Sequence, residues 1–228
     1  DLLNAYKITI LRVVIGTASS VLLTALAAYA LKFPTLPGRT FFTMMILFTM
    51  LFSGGIVPYY ILLKSIGLTN RFWVYIIPGF YSAWNILLMR TFFGTIPASL
   101  EESAKLDGAN DFRIFFAIIL PISKPVISVI ALFNGVGHWN DWFAGTFFVS
   151  DKALHPLQTV LRAMLMSAEA LRKRMFILQM APDDARLTVT TESLKMATII
   201  VATIPVVLIY PFIQKYFVKG VMIGSVKG

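Results

Sequence analysis

Five apolar blocks, each about 20 residues long, constrain this chain more than any other feature of its sequence. They cover residues 11–31, 41–63, 73–93, 126–148 and 194–213. At a rise of 1.5 Å per residue, a helix of about this length spans the hydrocarbon core of a bilayer. Only 14% of the residues are charged, whereas a soluble domain carries roughly 25%. Because the blocks do not alternate apolar and polar residues as barrel strands do, the sequence predicts an all-α polytopic membrane protein.

Composition excludes several classes of site. The chain has no cysteine, which rules out disulfides, thiolate zinc sites and cysteine nucleophiles. Its two histidines are too few for a histidine-rich metal cage, so no metal site is expected. The net charge is +9, but the basic residues are scattered between the apolar blocks. Such scattering favours contact with anionic lipid head groups, and no nucleic acid partner is expected.

Basic residues in the short connections suggest an orientation. With the loop 95–113 and the tail 214–228 inside, the inner segments hold nine basic residues and the short outer segments hold four. The long connection 150–193 is then outside, and long loops count little in such a comparison. Five spans with an inner carboxyl terminus place Asp1 outside. We therefore expect a further span upstream, six in the full protein, of which this chain is a fragment.

The loop between the third and fourth blocks predicts a short helix, a stop and a second helix start; we call residues 97–110 the knuckle. Ser99 and Glu102 have the spacing of a capping box for the first helix. Gly108 stands where that helix would end in a left-handed conformation. Asn110 would then cap a second helix that runs towards Pro121. The pattern therefore predicts a compact protrusion from the membrane.

The knuckle also carries a family resemblance. Residues 102–109 read Glu-Ser-Ala-Lys-Leu-Asp-Gly-Ala and are followed by Phe115, Ile118, Pro121 and Pro125. This pattern resembles the signature loop of permease subunits of ABC importers, with Ser103 in place of an alanine. Residues 139–142 (Trp-Asn-Asp-Trp) and the tail 214–228 resemble the carbohydrate-uptake group that includes maltose importers. Within that group, the sequence is most similar to the LplC and YtcP branch of oligo- and polysaccharide permeases.

The resemblance covers nearly the whole chain and implies a fold, a function and partners. It implies the type I ABC importer permease fold in the bacterial cytoplasmic membrane, with import of oligosaccharides by alternating access. The implied partners are a second permease subunit, two ATPase subunits, an extracellular solute-binding protein and the saccharide. The chain lacks a Gly-x-x-x-x-Gly-Lys-(Ser/Thr) loop, so ATP and magnesium are expected on the ATPase subunits and no cofactor on this chain.

The same resemblance assigns a role to the knuckle, and the composition of the tail predicts a second contact with the ATPase. Coupling to the ATPase is expected of Glu102, Ser103, Ala104, Asp107, Gly108 and Ala109. A tail reaching the ATPase interface is expected from its short, basic, glycine-spaced sequence, at Gly220, Gly224 and Lys227. A charge-assisted pair between Glu102 and an arginine of the ATPase would strengthen this contact and fix its orientation. The alternative for Glu102 is that it only caps its own helix.

Polar residues inside the fourth block are candidates for the substrate path. Asp141 is the only carboxylate within a predicted span, and intramembrane ionisable groups are functional by default. The candidates are Asn134, His138, Trp139, Asn140, Asp141 and Trp142. Indole rings would stack on sugar faces, and polar groups would bind hydroxyls. The structural alternative is that Asn140 and Asp141 join helices or cap a kink.

The sequence also allows two other functions. An intramembrane enzyme would use His138 and Asp141 as a base and its orienting group, but no activated nucleophile accompanies them. A permease of the same architecture for a non-sugar solute is another alternative. Residues 150–195 hold two more basic than acidic residues. The run 172–174 (Arg-Lys-Arg) would attract either an acidic polysaccharide or acidic groups on a binding protein.

Overall fold

The computed structural model describes residues 2–177 and 193–208, and every regular element in them is helical. The helices are α1 (Leu2–Lys32), α2 (Arg39–Leu51), α3 (Ile56–Ser65), α4 (Ala83–Gly94), α5 (Ala98–Leu106), α6 (Asp111–Ile114), α7 (Leu120–Ile122), α8 (Lys124–Asn140), α9 (Phe143–Phe148), α10 (Leu157–Ile177) and α11 (Ser193–Leu208). Phe115–Ile119 is a π-helical turn, and Phe72–Tyr75, Ile77–Phe80 and Lys152–Leu154 are 3₁₀ turns. The all-α prediction is confirmed for these residues.

Helices able to cross a membrane are of two kinds. Among the described residues, α1 alone is long and apolar enough by itself, with 31 residues and a hydropathy of 1.9 over its best window. Three pairs qualify only as bent units, with bends of 120° between α2 and α3, 44° between Phe72–Phe80 and α4, and 80° between Asp111–Ile122 and α8. Length and composition thus allow one to four spans here. The count of five, or six in the full protein, stays a prediction.

Three of the predicted blocks are interrupted: residues 73–93 begin with two 3₁₀ turns before α4, and two other blocks are each divided between two α-helices. Residues 41–63 break at Phe52–Gly55, where Gly55 adopts a φ of 83°. Glycine tolerates that conformation without the steric cost of a β-carbon. Residues 126–148 break at Asp141 and Trp142, so that α8 ends at Asn140 and α9 begins at Phe143. Such breaks bring backbone polar groups to positions where they can line a cavity.

The main core lies along α1 and contains part of the knuckle. Small buried residues of α1, including Ser20, Ala25 and Ala28, allow the neighbouring helices to approach closely. The core residues are Ala25, Ala28, Tyr29, Met89, Phe93, Ile96, Ala104, Ile114, Phe115, Ile119, Val126 and Ile130. Because Ala104 belongs to this cluster, the knuckle is packed against the helices that form the centre of the molecule.

Helix α2, in contrast to α1, exposes most of its apolar side chains. Ile46 is its only buried residue, while Phe41 is 68% and Leu51 is 76% exposed. An apolar face of this kind fits lipid or a neighbouring membrane subunit.

Towards the carboxyl terminus, α10 begins at Leu157, within the predicted outer connection 150–193. Residues 178–192 and 209–228 lie outside the described residues, and so do the tail residues Gly220, Gly224 and Lys227.

Candidate functional site

The start of the knuckle differs from the capping box expected for it. Pro97 is the residue before α5, and no side chain caps the helix there. The helix begins at Ala98, one residue before Ser99. A capping side chain must come from a residue that is still outside the helix. The prediction that Ser99 and Glu102 form a capping box is therefore wrong, and Glu102 keeps its carboxylate on an exposed surface.

The end of the knuckle helix is as predicted. Gly108 has a φ of +81°, and its N–H donates to the Lys105 carbonyl at 3.0 Å. The Ala109 N–H donates to the Ala104 carbonyl at 2.9 Å, which completes a Schellman motif. Asn110 then caps α6, because its Oδ1 accepts the Arg113 N–H at 2.8 Å. The two helix ends hold the turn between them in one conformation.

The coupling residues divide into an anchored set and an exposed set. Ala104 is buried in the main core, and Ala109 packs against that core. Glu102, Ser103, Asp107 and Gly108 are exposed. Leu106, which lies between Ser103 and Asp107 in the sequence, is 90% exposed.

A buried ion pair fastens the knuckle to α1. Lys32, the last residue of α1, pairs with Glu101, and their side chains are 14% and 8% exposed. Sequence reasoning missed this pair, because the two residues are 69 positions apart and the adjacent Glu102 carried the family pattern. By contrast, the nearby pair of Lys105 and Asp111, at 3.0 Å, lies at the surface, and its side chains are 50% and 65% exposed.

A second place of interest is a cavity of about 410 Å³, which we call the polar cavity. It lies where α1, α8 and α9 meet the turns Phe72–Tyr75 and Ile77–Phe80. Its polar lining residues are Arg12, Ser82, Asn134, His138 and Asp141, and its aromatic ones are Tyr59, Tyr75, Tyr81, Phe133, Phe143 and Phe148. Apolar walls with a few converging polar groups are typical of small-molecule sites, as is this volume.

Asp141 has structural partners on every side. Its carboxylate forms an ion pair with Arg12, and Arg12 Nη1 donates to the Asp141 carbonyl at 3.0 Å. Its Oδ1 accepts the N–H groups of Phe143 and Ala144 at 2.7 and 3.2 Å. Asp141 therefore caps the start of α9 at the kink, as the structural alternative expected. Arg12 also lies 4.7 Å from the centroid of the Tyr75 ring.

Arg12 was not among the predicted site residues. Nothing near Arg12 in the sequence indicates its partner, which lies 129 positions away. Its side chain is 4% exposed, which leaves the guanidinium dependent on the groups that face it.

Asn134 and His138 line the polar cavity and also join helices. Asn134 Nδ2 donates to Ser20 Oγ at 3.2 Å, and its Oδ1 accepts from Asn85 Nδ2 at 3.3 Å. These bonds connect α8 to α1 and α4. The His138 ring lies against two glycines: a β-carbon on Gly16 would be 2.4 Å from Nε2, and one on Gly79 would be 3.3 Å from Cε1.

The other three predicted path residues do not line the polar cavity. Trp139 is buried beside α10, and its Nε1 donates to the Ala202 carbonyl at 3.0 Å. Asn140 is exposed. The Trp142 ring carries the Arg162 guanidinium 3.4 Å from its centroid. The rings available for stacking in the cavity are thus tyrosines and phenylalanines rather than the indoles.

Comparisons with known proteins identify the family of this chain. A family model described as "Binding-protein-dependent transport system inner membrane component" matches residues 20–223. The chain belongs to this family. The permease is 44% identical over 215 residues to the polygalacturonan/rhamnogalacturonan transport system permease YtcP of Bacillus subtilis, which covers 94% of this chain and 73% of that protein. It is 39% identical to protein LplC of the same organism over 99% and 75% of the two chains.

A solved structure supports the ABC importer permease fold. The permease matches a chain of a bacterial ABC transporter that imports the acidic polysaccharide alginate, with a TM-score of 0.81 and 32% identity. The match covers 95% of this chain and 75% of that one. The type I importer fold and the membrane location predicted from the sequence are thus confirmed. The relatives are transport permeases and not enzymes, so the intramembrane enzyme considered for His138 and Asp141 loses its support.

Proposed function

We propose that this permease imports oligosaccharides or polysaccharide fragments across the bacterial cytoplasmic membrane by alternating access. The polar cavity is the observation that carries the proposal. Aromatic rings such as those of Tyr59, Phe133 and Phe143 suit the C–H faces of sugar rings, while Asn134 and His138 supply hydrogen-bonding groups beside them. The relatives named for polygalacturonan, rhamnogalacturonan and alginate support a carbohydrate of this kind.

The knuckle is the proposed contact with the ATPase. Its exposed residues Glu102, Ser103, Leu106 and Asp107 form the surface that would enter a cleft on the ATPase subunit. Its buried side carries any movement inward, because Ala104 belongs to the main core. ATP binding would therefore displace α1 together with the knuckle and change access to the polar cavity.

The assembly proposed around the chain has four further protein subunits. A second, different permease subunit would complete the membrane pore, two ATPase subunits would hold ATP and magnesium, and a solute-binding protein would deliver substrate from outside. The exposed face of α2 provides apolar surface for contact with lipid or the second permease. The tail residues Gly220, Gly224 and Lys227 would reach the ATPase interface, and this part of the proposal concerns residues outside the described range.

Uptake in a deletion strain tests the substrate. Cells lacking the gene and complemented with it receive labelled oligogalacturonate, a neutral maltooligosaccharide or an amino acid. We expect uptake of the acidic oligosaccharide above that of the others, because the relatives include importers of acidic polymers. Uptake of the amino acid alone would favour a permease for a non-sugar solute.

A matched pair of phenylalanines tests the cavity. Phe133 lines the polar cavity and is 50% exposed, whereas Phe116 is 51% exposed and does not line it. A ring contact is worth about 0.5–1.5 kcal/mol. Phe133→Ala should therefore raise the KM of uptake about twofold to tenfold, while Phe116→Ala leaves it unchanged. Equal effects of the two variants would contradict a substrate path through this cavity.

A further inference from the structure

A second cavity, of about 380 Å³, lies at the knuckle end of the helices and is lined by three cationic side chains. We call it the basic pocket. Its residues are Lys32, Arg39, Leu87, Arg90, Thr91 and Gly94. They come from the end of α1, the first residue of α2 and the last turns of α4. Apart from Lys32, which fastens the knuckle through Glu101, none of these residues has a part in the proposed importer mechanism.

Charge in the basic pocket is only partly neutralised. Lys32 is paired with Glu101. Arg39 Nε donates to the Leu31 carbonyl at 3.0 Å, and Arg90 Nη1 donates to Thr43 Oγ1 at 3.4 Å. Within residues 2–177 and 193–208, neither arginine forms an ion pair with a carboxylate. Two guanidinium groups thus face one pocket with neutral partners alone, an arrangement that attracts an anion.

We infer that the basic pocket binds the phosphate head group of an anionic phospholipid. Guanidinium groups match phosphate oxygens in a planar, two-pronged geometry. Basic pockets between membrane helices on the cytoplasmic side are suited to such head groups. The cytoplasmic placement of the knuckle end rests on the proposed function; the charge and shape of the pocket do not.

The surface next to the pocket distinguishes a lipid from a soluble anion. Arg39 is the first residue of α2, and Phe42 (44% exposed), Leu47 (36%) and Met50 (46%) lie on the same face of that helix. A head group held at Arg39 would place its acyl chains along this apolar face, which water otherwise covers at a free-energy cost. Free phosphate would gain the ionic contact but none of this apolar burial. One helix therefore offers both parts of a lipid site.

The test measures lipid retention by the complete importer. The complex is purified in a neutral detergent, delipidated and titrated with phosphatidylglycerol or phosphatidylcholine, and bound lipid is counted by native mass spectrometry. The double variant Arg39→Gln/Arg90→Gln should bind phosphatidylglycerol about 30-fold more weakly, since each basic residue contributes a factor of about five to six. Arg39→Lys/Arg90→Lys keeps both charges but loses the two-pronged geometry, so its binding should fall between that of the wild type and that of the Gln/Gln variant. Lys124→Gln removes an exposed cation outside the pocket and should have no effect.

Several results would overturn the inference. These are equal binding of phosphatidylglycerol by the Gln/Gln variant and the wild type, equal binding of phosphatidylcholine, or displacement of the lipid by millimolar glycerol phosphate, which lacks acyl chains. Failure of the wild-type complex to retain any lipid, together with dissociation of the Gln/Gln complex, would assign the arginines to acidic groups of another subunit. The uptake assay separates the two proposals: a wild type that imports no saccharide contradicts the proposed function and leaves the lipid measurement intact.

Discussion

Arg12 and Asp141 form an ion pair that joins the first long helix to the kink between α8 and α9, 129 residues later. The pair stands at the wall of the polar cavity. The Asp141 carboxylate has two structural roles. Its Oδ2 pairs with the buried Arg12 guanidinium, and its Oδ1 caps α9 by accepting the Phe143 N–H. The position of the cavity wall therefore depends on a contact between distant parts of the chain.

Substitutions at Asp141 separate these two tasks. Asp141→Asn keeps an oxygen for the cap but leaves Arg12 without a counter-charge, which should cost about 3 kcal/mol in the free energy of unfolding. Asp141→Ala also removes the cap and should cost about 1 kcal/mol more. Thermal unfolding of the purified complex measures both. Asp151→Asn is the control, since Asp151 is exposed and accepts only the local Ala153 N–H; an equal loss there would contradict the assignment.

Adjacent glutamates of the knuckle should behave differently. Glu101 is 8% exposed and paired with Lys32, whereas Glu102 is exposed. Glu101→Gln should lower the melting temperature of the permease, because it leaves the Lys32 ammonium buried and unpaired. Glu102→Gln should leave the melting temperature unchanged and weaken binding of the ATPase subunits, measured by their retention on an affinity-tagged permease. Identical behaviour of the two variants would contradict separate inner and outer faces.

The left-handed turn at Gly108 predicts a graded series. A β-carbon there meets no atom within 4 Å, so its cost comes from the φ of +81° alone. Gly108→Asn should be tolerated, since asparagine adopts this conformation readily, while Gly108→Val should cost about 1–2 kcal/mol or more. We expect the valine variant to uncouple ATP hydrolysis from uptake or to block assembly. Gly54→Ala, at a glycine with open space and no positive φ, is the control. Normal transport with full ATPase stimulation by Gly108→Val would refute the role of the knuckle.

Close contact between Gly16 and His138 predicts a compensating pair. Gly16→Ala would place a β-carbon 2.4 Å from Nε2, and such overpacking costs about 1–3 kcal/mol. In a His138→Ala background the same change should cost much less, because the obstructing ring is gone. Melting temperatures of the four proteins in this double-mutant cycle measure the coupling. Gly135→Ala, whose β-carbon would lie at an ordinary 3.6 Å from Thr17 Oγ1, should show no coupling to His138.

Features set by neighbouring residues were predictable from the sequence. Apolar blocks of membrane length require helices, because a helix satisfies its own backbone hydrogen bonds within lipid. Gly108 and Asn110 determine a helix end and a helix start through bonds that reach three to five residues. These interactions need no distant partner, and the helix end at Gly108 and the cap at Asn110 were correctly predicted. The capping box at Ser99 is also local, but it was wrong because α5 begins one residue earlier, at Ala98.

Tertiary structure alone decided which side chains meet. Asp141 pairs with Arg12, Glu101 pairs with Lys32, and Trp139 turns away from the polar cavity towards α10. Each outcome depends on the rotation of one helix against another, which is set by close packing of small residues such as Gly16. Sequence periodicity describes a helix face but leaves its partner unspecified when nearly every face is apolar. For that reason the family and the knuckle could be identified from the sequence, while the composition of both cavities became visible only when the helices were packed together.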